Sequence, residues 1–141
     1  MKLPLLLICC LLSVTTGQAA SRHTKGDKPL RISQGQAVNL TDFLVTGKTT
    51  IFDFTSEYCP PCRAFAEVLL KLHQQRDDLA VVKVDINRIE VHKIDWQSPV
   101  AQQYAIQSLP FFKIVGPNGQ LLLEGKPARA QVEAWIGELQ Q

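Results

Sequence analysis

The chain has no run of basic residues, no internal repeat, no low-complexity tract and no shift in composition that would mark a second domain. Without a basic cluster, and with a net charge of +2 spread in mixed sign, it carries nothing that would hold nucleic acid. Long apolar runs are missing apart from one, Leu3 to Val14, and that one is too short to span a bilayer comfortably. Cysteine is scarce: four residues, two of them, Cys9 and Cys10, inside that apolar run. No second Cys-x-x-Cys and no histidine pair follows Cys59 and Cys62, so a zinc site would lack its usual four ligands.

At 141 residues there is room for one domain with a substantial core. Residues 1–20 have the pattern of a secretory signal peptide. Lys2 is a short positive region, Leu3 to Val14 the apolar stretch, and Gly17 and Ala19 supply small residues at the −3 and −1 places. Residues 21–38 are expected to be a flexible, polar lead, with Leu30 to Ile32 as a candidate short strand, and 39–141 the folded domain. Removal of the leader leaves Cys59 and Cys62 alone, and the loop they close is too short to constrain the unfolded chain much. A pair this close is a poor staple, which favours redox work in an oxidising compartment. Metal binding through the same cysteines, with His73 or His92, and an inert disulfide stay open as alternatives.

Local patterns order the domain. Lys48 to Phe54 is apolar and β-prone. Pro60 and Pro61 suit the first turn of a helix whose residues Phe65, Val68, Leu69 and Leu72 follow helical spacing. Leu79 to Ile86 is a second buried strand, so strand, helix and strand form a right-handed βαβ unit with parallel strands. Ser98-Pro99 starts a short helix to Tyr104. Phe111 to Val115 and Gln120 to Glu124 flank Gly116-Pro117-Asn118-Gly119 as an antiparallel hairpin, and Pro127 to Leu139 is an amphipathic last helix. The class is α/β: a mixed central sheet flanked by helices, in one domain.

At the junction of the first buried strand and its helix stands Cys59-Pro60-Pro61-Cys62. Two cysteines three apart at a helix start share a turn, and the partial positive charge there favours a thiolate. Asp53, six residues earlier in an apolar strand, is costly unless protonated or paired. With Lys83 in the next strand and Leu109-Pro110 before the hairpin, this arrangement resembles the thioredoxin family over about residues 40–139. The resemblance implies a thiol-disulfide oxidoreductase with the thioredoxin fold and no cofactor beyond the dithiol. Cys59 would be the exposed nucleophile and Cys62 the resolving thiol. Asp53 would move the proton of Cys62, or else be a satisfied structural residue. Lys83 would accompany Asp53, or else reach to solvent. A cis Pro110 would set an extended backbone beside Cys59, or else be an ordinary strand-edge proline. Tyr58, Pro60, Pro61, Leu109 and Pro110 are the expected substrate contacts.

The chain departs from the family pattern at three places. Tyr58 stands where thioredoxin has a tryptophan, Thr55 where it has an earlier aromatic, and Pro60 for glycine removes one backbone N–H near the Cys59 sulfur. The connection Arg88 to Gln97 is also several residues longer than in thioredoxin. It holds Ile89, Val91, Ile94 and Trp96, and Trp96 is expected to pack beside the redox motif in place of the missing aromatic. The partners implied are proteins with disulfides or thiols and a redox protein that recycles the dithiol. Nucleic acid is not among them, and no stable membrane association is expected after leader removal. A monomer secreted to the bacterial periplasm completes the expectation. A redox-inert thioredoxin-fold binding module is the third alternative.

Overall fold

The computed structural model describes residues 23–141, so the expected signal peptide lies outside the described residues. Five strands form one sheet in the order β1-β3-β2-β4-β5. They are β1 (Leu30–Ile32), β2 (Thr49–Thr55), β3 (Leu79–Asp85), β4 (Phe111–Val115) and β5 (Leu121–Glu124). The helices are α1 (Pro60–Gln75), α2 (Pro99–Gln103) and α3 (Lys126–Glu138), and a 3-10 turn spans Leu40–Phe43. β2 and β3 are parallel, joined through α1, and β4 and β5 form the antiparallel hairpin. These are the elements expected from the sequence, with ends displaced by one or two residues.

β2 reads as a continuous apolar run because both faces of the sheet are covered. Successive side chains alternate faces. Ile51 joins Leu69, Leu72, Val81, Phe112, Ile114, Ala128 and Val132 in one cluster, drawn from the sheet, α1 and α3. Phe52 and Phe54 join Val82, Val84, Ile86, Val100 and Ala101 in the other, with α2. Asp53 shares Ile51's parity and so faces the α1 side of the sheet. Phe52, Phe54 and Phe112 are fully buried, each worth roughly 2–3 kcal/mol of transfer free energy.

Residues 23–38 differ from the flexible lead expected of them. His23 N–H donates to Leu44 O at 3.0 Å, Thr46 N–H donates to His23 O at 2.9 Å, and the His23 ring stacks on Phe43. Lys25 Nζ donates to Arg76 O at the C-cap of α1 at 2.8 Å. β1 pairs in parallel with β3. The cause is unmet hydrogen-bonding capacity on the domain. The last carbonyls of α1 and the outer edge of β3 need partners, and the polar lead supplies them.

His73, one of the two histidines considered for metal, does the same work. It is buried in α1; its Nδ1 accepts from Val81 N–H at 3.0 Å, and its Nε2–H donates to Gly26 O at 2.8 Å. Both ring nitrogens are used, and burial first of all lowers the pKa, which keeps the ring neutral.

Gly35 joins the lead to the long connection. Its N–H donates to Asp85 O, its carbonyl accepts from Val100 N–H, and its φ is +81°. A Cβ here would sit 2.6 Å from Arg88 N and Cγ. Gly35→Ala therefore lowers the urea midpoint, with a loss of more than about 1 kcal/mol. An unchanged midpoint would mean that Arg88 moves aside freely.

Candidate redox site

β2 ends at Thr55, and the chain turns through Ser56-Glu57-Tyr58 into α1. Cys59 is the N-cap of α1, and Pro60 and Pro61 occupy its first two positions. Prolines have no N–H to offer there, so the Cys62 N–H is the first inside the helix that can reach back. It donates to Cys59 Sγ at 3.2 Å. The two sulfurs are joined as a disulfide. The helix N-terminus and this N–H thus lie against the sulfur of Cys59.

Cys59 is not the exposed residue expected: it is 2% accessible and Cys62 4%, whereas Pro60 and Pro61 are exposed. Its sulfur is turned inward as the helix cap and bonded to Cys62, so the exposed part of the motif is the pair of prolines. A cleft of about 140 Å³ leads to Cys62, lined also by Arg31, Ser56, Arg63 and Lys83.

Asp53 is 1% accessible, and its Oδ1 has no hydrogen-bond partner. Burial pushes its pKa up to about 7, against the opposing charges of Lys83 and Arg31. Lys83 sits opposite Asp53 in the register of β2 and β3, and Arg31 opposite Lys83 on β1. Among the described residues no ion pair joins Lys83 to Asp53. Lys83 is half-buried and lines the cleft, while Arg31 pairs with Asp85 at 2.6 Å. Asp53 is thus a carboxyl poised to gain or lose a proton near neutral pH, with two cations near but unpaired to it.

The Leu109–Pro110 peptide is cis. Phe111 pairs with Phe54, so Pro110 falls at the end of β2 from which the redox turn leaves. Trp96 is half-buried and packs on the cluster beneath α2 that also receives Leu109, Phe111 and Tyr104. Its carbonyl accepts from Gln102 Nε2 at 2.7 Å.

The sequence reading missed Ser56 and Asn87, and it saw His92 only as a metal candidate. Ser56 Oγ donates to Asn87 Oδ1 at 2.6 Å and accepts from Tyr58 N–H at 3.2 Å, while Ser56 O accepts from Cys59 N–H. Tyr58 Oη lies 3.2 Å from His92 Nδ1. The signal for Ser56 and Asn87 was their placement: each follows the C-terminal end of one of two adjacent parallel strands, and such ends lie side by side.

Residues 34–138 match the family model described as Thioredoxin. A thioredoxin H-type of Brassica oleracea is 25% identical over 121 residues, covering 86% of this chain and 85% of its own. A thioredoxin H-type of Ricinus communis is 32% identical over 91 residues, covering 64% of each. Among solved structures, a mutant thioredoxin from Halobacterium salinarum superposes with a TM-score of 0.54 at 22% identity, covering 82% of this chain and 93% of its own. Thioredoxin f from spinach chloroplast does so with a TM-score of 0.54, also at 22% identity, covering 82% and 88%. At these identities the superpositions speak to the fold alone.

Proposed function

Because the chain belongs to the thioredoxin family of thiol-disulfide oxidoreductases, we propose that it exchanges disulfides with protein substrates through Cys59-Pro60-Pro61-Cys62, in a compartment outside the cytoplasm. The observation that carries this reading is the cysteine pair at the N-terminus of α1, with a buried carboxyl in the strand leading to it whose Oδ1 lacks a partner. In the reduced protein the Cys59 thiolate attacks a substrate disulfide. It forms a mixed disulfide and expels one substrate thiolate. Cys62 gives its proton to the Asp53 carboxylate and attacks Cys59 Sγ, releasing the second substrate thiolate. The protein is left with its Cys59–Cys62 disulfide, and two electrons have passed to the substrate. A dithiol partner then restores the reduced form. For another protein of this fold, thioredoxin f2, a solved structure holds the complex with ferredoxin:thioredoxin reductase. The same steps in reverse oxidise a substrate, and the relative potentials of the two couples set the direction.

Support for the compartment comes from the leader pattern of residues 1–20 and from a dithiol that cycles where disulfides persist. The bacterial periplasm fits best. Fractionation of expressing cells, with N-terminal sequencing of the product, tests this. A cytoplasmic protein that retains Met1 to Ala20 would overturn it.

Tyr58, Pro60, Pro61, Leu109 and Pro110 are the proposed contacts for the substrate backbone. Trp96 shapes this surface from below, since it packs in the cluster that also holds Leu109. Trp96→Ala is expected to lower kcat/KM for insulin disulfides by roughly 5- to 10-fold and to leave a small disulfide nearly unaffected. Equal losses on both, or a loss of stability alone, would make Trp96 a core residue only.

A further inference from the structure

The connection between β3 and α2 is built too firmly to be a passive insertion. Asn87, buried at its start, uses its whole side-chain amide. Oδ1 accepts from Ser56 Oγ at 2.6 Å and from Asp95 N–H at 3.3 Å, and Nδ2 donates to Val91 O at 2.9 Å and to Lys93 O at 2.6 Å. Arg88 closes the loop on buried Asp95 with Nε at 2.7 Å and Nη2 at 3.0 Å from its two carboxylate oxygens. A floppy loop would cost little entropy to tolerate, but it would need none of these bonds.

The loop is tied to the redox turn twice, at separate points. One tie is Ser56–Asn87, and Ser56 also fixes the backbone N–H groups of Tyr58 and Cys59. The other is Tyr58–His92, one residue from Cys59. Between these anchors the loop presents Ile89, 79% accessible, and exposed Glu90, and His92 and Lys93 at its far end are exposed as well. A large apolar side chain held out on a braced loop beside a reactive centre offers contact area to a partner at little ordering cost.

We propose that residues 87–95 form a wall of the docking surface that selects protein substrates, with Ile89 and His92 meeting an extended, apolar-bearing polypeptide segment beside the target disulfide. Asn87 is the positioning residue that holds this wall against the redox turn. The inference rests on the dithiol-exchange reading above. It assigns part of the discrimination between protein and small disulfides to side chains that never touch the exchanging sulfurs.

The test compares two probes, insulin and bis(2-hydroxyethyl) disulfide, each reduced with dithiothreitol as recycling reductant. Ile89→Ser alters only an exposed side chain that takes part in neither tie. It is expected to raise KM for insulin about 5- to 10-fold with kcat little changed, and to leave the small disulfide within about 2-fold. Asn87→Ala, which removes the bonds to Ser56, Val91, Lys93 and Asp95, should reproduce the insulin defect. Insulin kinetics unchanged in Ile89→Ser, or equal losses on both probes, would overturn the proposal. Absence of exchange with either probe in the unsubstituted protein would overturn the dithiol reading, and this inference with it.

Discussion

Cys62→Ala accumulates covalent adducts with substrate proteins, visible on non-reducing gels and removed by dithiothreitol, whereas Cys59→Ala accumulates none. The asymmetry follows from the helix start. Cys59 caps α1 and its sulfur receives the Cys62 N–H, so Cys59 is the sulfur whose negative charge the helix stabilises. Cys62 lies one turn inside, next to the cleft shared with Lys83. Without Cys62 the first exchange still forms a mixed disulfide, but no thiol is placed to break it. Without Cys59 the first exchange does not occur, and turnover with insulin falls by at least about 10³-fold. Equal trapping by the two variants would reverse or void the assignment.

Asp53→Asn stabilises the oxidised protein at neutral and alkaline pH while slowing release of the mixed disulfide. The pKa of Asp53 in the folded chain, about 7, lies above its ordinary 3.8 because burial disfavours the carboxylate. The folded state therefore binds this proton more tightly than the unfolded state. Whatever the group contributes is fully present below about pH 4, is lost as pH rises towards 7, and is gone above that. At about 1.4 kcal/mol per pKa unit, the penalty above pH 7 is on the order of 4 kcal/mol. Denaturant unfolding of both proteins at pH 4 and at pH 8 should give nearly equal stabilities in the first case and a clear gain for the amide in the second. A difference that does not vary with pH would show that Asp53 is not ionising. Kinetics should move the opposite way. Near pH 7 the amide cannot accept the Cys62 proton, and release slows by roughly 10²-fold. The gap narrows at high pH, where Cys62 ionises without help. Unchanged release rates across pH would reduce Asp53 to a structural residue.

The two effects together explain why such a costly group stands in the strand. A carboxyl buried in β2 with one oxygen unpartnered is a stability defect at pH 7. The same desolvation brings its proton affinity near that needed to serve a thiol at neutral pH. Lys83 and Arg31 limit the cost without removing it, since neither pairs with Asp53 and Arg31 is held by Asp85.

Much of this was legible in the sequence because it depends on neighbours along the chain. The apolar run of β2, the two prolines opening α1, the Ser98-Pro99 start of α2 and the hairpin turn are local signals. Each acts through backbone propensity or side-chain period over a few residues. The dithiol spacing and the acid six residues before it belong to the same class. The burial of Cys59, the absence of a Lys83–Asp53 ion pair, the fastening of residues 23–38 by His73 and Arg76, and the bonds Ser56–Asn87 and Tyr58–His92 belong to the other. The bonded partners among these lie 31 to 51 positions apart, and Lys83 faces Asp53 across two strands. Which side chains meet at such separations is decided by strand register and by which polar groups the packed core leaves unsatisfied, and no stretch of sequence short enough to have its own periodicity contains both.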